Sequence, residues 1–82
     1  MSPDHLVYMA NQIGKFFESQ KADQVVPGIA KHIKDFWDPR MRRAIFDYLA
    51  QGGEGLVPPV REALEKLKAA ETKRPSAPVS AT

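Results

Sequence analysis

Apolar residues recur along most of this chain at intervals of three and four, the spacing that lines one face of an α-helix. In the first stretch Leu6, Met9, Ala10, Ile13, Phe16 and Phe17 keep that spacing, while Tyr8, Asn11, Gln12 and Lys15 fall on the other side. Ser2 is placed to cap this helix, Pro3 suits its first turn, and Asp4 lies near the positive end of its dipole. Gly14 sits beside the apolar face, where a missing side chain lets another helix approach closely. The pattern fades near Ser19, and Ser-Gln-Lys-Ala-Asp reads as a polar connection.

A second helix begins at Asp23 or Val26, depending on whether Pro27 lies late in the first turn or is the first helical residue. Val25, Ile29, Ile33 and Phe36 share its apolar face, with Val26, Ala30 and Trp37 on the flank and Lys31, Lys34 and Asp35 towards solvent. Asp38-Pro39 is a helix-start signal, because Asp accepts from free amides and Pro needs no donor in a first turn. The third helix runs from Pro39 to about Ala50 with Met41, Ala44, Ile45, Tyr48 and Leu49 inward, and Gln51-Gly52-Gly53 stops it. Phe46 lies roughly 140° around the wheel from Met41, which marks it as a partner contact or a residue covered by the tail. After Gly52-Gly53-Glu54-Gly55, Pro58-Pro59 opens a fourth helix to about Glu71, with a narrow stripe of Val60, Ala63, Leu64 and Leu67.

The pattern predicts an all-α fold, a small bundle of three to four helices over residues 1–71 with a disordered tail over 72–82. From Thr72 onward the chain holds two prolines and no large side chain to bury. Length agrees: 82 residues with 43% hydrophobic composition bound one small domain with a thin core. The absence of cysteine excludes disulfide staples and thiolate metal sites, and makes the cytoplasm the expected compartment. No segment reads as a signal peptide or a membrane span. A net charge of +2 is too small and too scattered for nucleic acid. Small unstapled domains often gain stability from a partner, so a partner is expected.

Candidate chemistry concentrates in Phe36-Trp37-Asp38-Pro39-Arg40-Met41-Arg42-Arg43. Arg40, Arg42 and Arg43 crowd the first turns of a helix, where positive charge is disfavoured by about 0.3–1 kcal/mol at an exposed site. Guanidinium groups there suit an anion, either a phosphate or a partner's carboxylates. The competing reading is neutralisation by Asp35, Asp38 and Asp47 as surface ion pairs of little energetic consequence, with Arg43–Asp47 one such pair and Glu62–Lys66 and Arg61–Glu65 others. Trp37, Phe36 and Phe46 have the composition of a docking hot spot, against which Phe36 reads better as core. His5 and His32 lie on different helices without companions at metal-ligand spacing, so no metal site is expected. The glycine loop lacks the strand and Gly-Lys-Ser/Thr ending of a phosphate cradle and reads as a turn. No nucleophile–base pair is visible, and catalysis by this chain alone is not expected.

Ser2 to Phe17 and Ile29 to Arg43 together resemble the delta subunit of soluble NAD-dependent formate dehydrogenases. The resemblance rests on Met9-Ala10-Asn11-Gln12-Ile13, on His32-Ile33 with Phe36-Trp37-Asp38-Pro39-Arg40-Met41-Arg42, and on Gly52-Gly53-Glu54-Gly55-Leu56. It does not extend beyond Glu71. It implies a bacterial, cytoplasmic accessory polypeptide made alongside a large molybdenum- or tungsten-containing catalytic subunit, which would carry the pterin cofactor, the iron–sulfur clusters and the formate chemistry. The family offers no catalytic residues to carry over, and this chain is expected to hold no cofactor of its own. The resemblance points to Trp37, Pro39, Arg40, Met41 and Arg42, joined by neighbouring Arg43 and Phe46, as the surface for the catalytic subunit of formate dehydrogenase. Two alternatives stand beside this one: the arginine turn grips the anionic pterin cofactor during its insertion, or the chain is a self-associating module that forms a homodimer.

Overall fold

The computed structural model of the chain describes the backbone of residues 2–80 and the side chains of residues 2–71. It is all-α, with four helices in the order α1 (Pro3–Phe17), α2 (Ala22–Phe36), α3 (Pro39–Ala50) and α4 (Pro58–Ser80), and no strand among the described residues. Ser2 Oγ accepts from the His5 amide at 3.2 Å and Asp38 Oδ1 from the Met41 amide at 2.9 Å, so both predicted caps form. α2 starts at Ala22, earlier than either predicted start, without a side-chain cap, and Pro27 is its sixth residue. So early in the helix, Pro27 removes a single donor, the one that would have met the Asp23 carbonyl. α4 runs past its expected end near Glu71. The disordered tail expected over 72–82 falls on residues whose side chains lie outside those described.

The core is built from one stripe of each helix: Leu6 and Ala10 from α1, Ile29 and Ile33 from α2, Ile45 and Leu49 from α3, and Val60, Ala63, Leu64 and Leu67 from α4. α1 and α4 each pack against all three other helices, whereas α2 and α3, consecutive in the chain, scarcely meet. Gly14 permits the α1–α4 approach, since a Cβ there would stand 2.5 Å from Val60 Cγ2.

Three placements correct the sequence reading. Phe36 is not core but 73% exposed, and Trp37 is buried in its stead, 5% exposed. At this corner α2 stops at Phe36 while the Trp37 amide still bonds to the Ile33 carbonyl, and the extended ψ of Trp37 (133°) turns the following chain towards α3, with the indole on the core side. Phe16, expected on the inner face of α1, is likewise 71% exposed. Asn11, expected to face solvent, is half-buried against the loop before α4, where Leu56 is also buried.

Candidate functional site

The segment from Trp37 to Phe46 divides into an inner and an outer half. Trp37 is core, and Met41 and Phe46 pack half-buried against the core. Arg42 is also turned inward, with a side chain only 18% exposed. Its guanidinium donates to the backbone carbonyls of Trp37 and, at 3.4 Å, Lys34, carbonyls that the end of α2 leaves without helical partners. Its Nε lies 2.9 Å from Glu71 Oε2 on α4, close enough for an ion pair yet off the line of a hydrogen bond. Arg42 thus fastens the end of α2 to α4. The basic cluster inferred from sequence loses this member to structure.

The outer half is Pro39, Arg40 and Arg43, all exposed. The expected Arg43–Asp47 pair does not form, and among the described residues neither Arg40 nor Arg43 is within ion-pairing distance of a carboxylate. Two shallow grooves meet here. One of about 200 Å³ is lined by Pro39, Arg43, Phe46 and Glu71, and one of about 380 Å³ by Asp38, Pro39, Arg40 and Arg43. Asp38 already occupies the free Met41 amide, so an incoming anion meets the guanidinium groups more readily than the helix terminus.

The glycine loop is a turn, as its sequence suggests, and side chains from three helices hold it. Gly52, Gly53 and Gly55 all have positive φ, at 125°, 61° and 93°. Asn11 Nδ2 donates to the Gly55 carbonyl at 2.9 Å and Asn11 Oδ1 accepts from the Val57 amide at 3.1 Å. The Tyr48 hydroxyl donates to the Glu54 carbonyl at 2.6 Å, and Arg61 donates to the carbonyls of Gly52 and Gly53 at 2.7 and 3.0 Å in place of the expected pairing with Glu65. Asn11 and the three glycines belong to the resembling motifs, and here they build one joint. Sequence reasoning left Asn11 out because wheel position reports exposure along one helix and not a neighbour 44 residues away.

A further groove of about 490 Å³ lies alongside α1, lined by Tyr8, Asn11, Gln12, Lys15, Glu18 and Val57 among others. On α2, Lys31 donates to Asp35 at 2.7 Å, and that bond, more than the charge of Lys31 and Lys34, holds the Asp35 carboxyl below its ordinary range. The described residues contain no group of three or more His, Cys, Asp or Glu able to hold a metal ion. No described helix is long and apolar enough to cross a membrane.

The described residues thus form a small all-α fold in which the resembling motifs build a joint at the glycine loop and an exposed basic turn. One family's sequence profile, that of the NADH-dependent formate dehydrogenase delta subunit FdsD, matches residues 5–64. The chain belongs to this family of formate dehydrogenase delta subunits. Comparison with curated proteins and with solved structures gave no match.

Proposed function

We propose that this chain is an accessory subunit or maturation factor that binds the large catalytic subunit of formate dehydrogenase and supports assembly of the active complex. Family membership supplies the context. The observation that carries the docking assignment is the pair Arg40 and Arg43, exposed beside the Phe46 groove and without a carboxylate partner among the described residues. An unpaired guanidinium group beside a half-buried aromatic, as Arg43 is to Phe46, matches the Arg-and-aromatic makeup of interface hot spots. The natural counterparts of the two guanidinium groups are carboxylates on the catalytic subunit. Gripping the pterin cofactor's phosphates is the second reading, favoured by the same two guanidinium groups, and the Asp38 carboxylate in the adjoining groove bears on both anions alike.

Reversing Arg40 and Arg43 to Glu tests this directly. Acidic groups early in a helix are neutral to favourable for its dipole, so the isolated chain keeps its fold. In the complex the same change sets like charges against each other, at a cost of several kcal/mol. At equal expression, cells carrying R40E/R43E are expected to yield formate dehydrogenase with no bound delta chain, or with lower activity and cofactor content. Lys34→Glu serves as the control. Arg42 stays out of the test because its reversal would disturb the α2–α4 link. Full complex recovery and activity in R40E/R43E would remove the basic turn as the working surface, and cofactor retained by the isolated wild-type chain would favour the second reading.

A further inference from the structure

We infer that an aromatic ridge across α1 and α2, crowned by Phe16 and Phe36, docks into an apolar cleft on a larger subunit of the same complex. The inference rests on the proposed reading of this chain as a bound subunit. Single exposed apolar residues are ordinary on protein surfaces. Phe16 and Phe36 differ, since each is more than two-thirds exposed and a continuous row of rings joins them. Phe16 meets Phe17 edge-on at 5.1 Å between centroids, Phe17 faces His32 at 6.3 Å, and His32 lies against Phe36 at 4.7 Å. Each outer ring has one ring neighbour on its inner side, and such support reduces the freedom left to lose on binding.

Part of the surroundings also resembles the centre of an interface, which is depleted in Lys, Glu and Asp and enriched in aromatics. Around Phe16, the residues three and four positions back on α1 are Gln12 and Ile13, both uncharged, while Lys15 and Glu18 flank it in the chain. On the adjoining side of α2, Lys31 and Asp35 neutralise each other at 2.7 Å. These charged neighbours are exposed, so a partner that seats the rings can leave them in water, whereas burying the Lys31–Asp35 pair would cost desolvation.

Area selects the occupant. An aromatic side chain buries roughly 150–250 Å², so the exposed parts of Phe16 and Phe36 offer roughly 200–350 Å² together, taking their exposed fractions. A stable interface takes about 800 Å² from each partner. The two rings alone fall well short of that, so the occupant must also cover their flanks. A concave surface on a larger chain covers the ridge and its flanks at once.

Co-expression of the catalytic subunit with F16Q/F36Q provides the test. Both side chains are largely solvated, so the isolated variant should match the wild type in circular dichroism and melting. Its recovery with the catalytic subunit should fall at least roughly tenfold, as for loss of hot-spot residues. The natural chain has no cysteine, so F36C carries a single thiol. Its maleimide labelling should be rapid in the free chain and at least about tenfold slower in the purified complex if the ridge is covered there. Undiminished recovery of F16Q/F36Q, or equal F36C labelling in both states, overturns the inference. A dimer of the free chain abolished by F16Q/F36Q also overturns it and assigns the ridge to a second copy. Loss of complex in R40E/R43E with full recovery of F16Q/F36Q removes the ridge alone. Failure of the wild-type chain to co-purify with the catalytic subunit defeats the subunit reading and this inference with it.

Discussion

Phe36 and Trp37 are adjacent and similar in size, yet one is solvated and the other is core. The difference lies at the end of α2, where Trp37, still bonded through its amide to Ile33, belongs to the core cluster and Phe36 stays outside it. Replacing Trp37 with Ala leaves a cavity under the α2–α3 corner and should destabilise by about 3–5 kcal/mol. Phe36→Ala should stay within about 0.5 kcal/mol, as exposed positions do. Urea melts of the two variants check the assignment, and the opposite ranking would place the indole outside the core. Arg42 carries the same lesson in polar form. Its neighbours Arg40 and Arg43 are chemically identical to it, but only Arg42 points at the carbonyls that the end of α2 leaves open.

Helices of this bundle meet through small residues and a braced loop. Gly14 is the clearest case: Val60, itself fully buried, occupies the space a Cβ would need. Gly14→Ala gains about 1 kcal/mol of helix propensity but forces the two helices apart, at about 1–3 kcal/mol for overpacking. A net loss of stability is therefore expected. Val60→Ala opens the space again, so G14A/V60A should be less destabilised than the two single variants summed. Strict additivity in thermal melts would show that α1 and α4 do not meet at this point. The 51–57 loop extends the same contact, with Asn11, Tyr48 and Arg61 tying α1, α3 and α4 to successive carbonyls.

A chain of 82 residues has a stability of about 4–12 kcal/mol at typical per-residue values, so a partner that binds only the folded form contributes appreciably. Catalytic subunit present at a hundredfold over its dissociation constant should stabilise the delta chain by about 2.7 kcal/mol. Pulse proteolysis in urea, with and without that subunit, should show the difference, and an unchanged midpoint would argue against a direct complex. Much of this molecule was legible in its sequence. The four helices, the caps at Ser2 and Asp38, the close approach at Gly14 and the family follow from local spacing, turn chemistry and motif, which act between residues a few positions apart. In the candidate site, Pro39, Arg40 and Arg43 were legible as an exposed basic turn, because a helix's first residues have few neighbours of their own. What sequence left open were questions of who lies opposite. The wheel put Phe16 and Phe36 inside because it assumes a neighbour along the whole apolar face, and at those helix ends no helix covers them. It put Asn11 outside because it cannot see a loop that returns from 44 residues away. Residue spacing determines which side of a helix is apolar; only the packing of one helix on another determines how far along its length that side is covered.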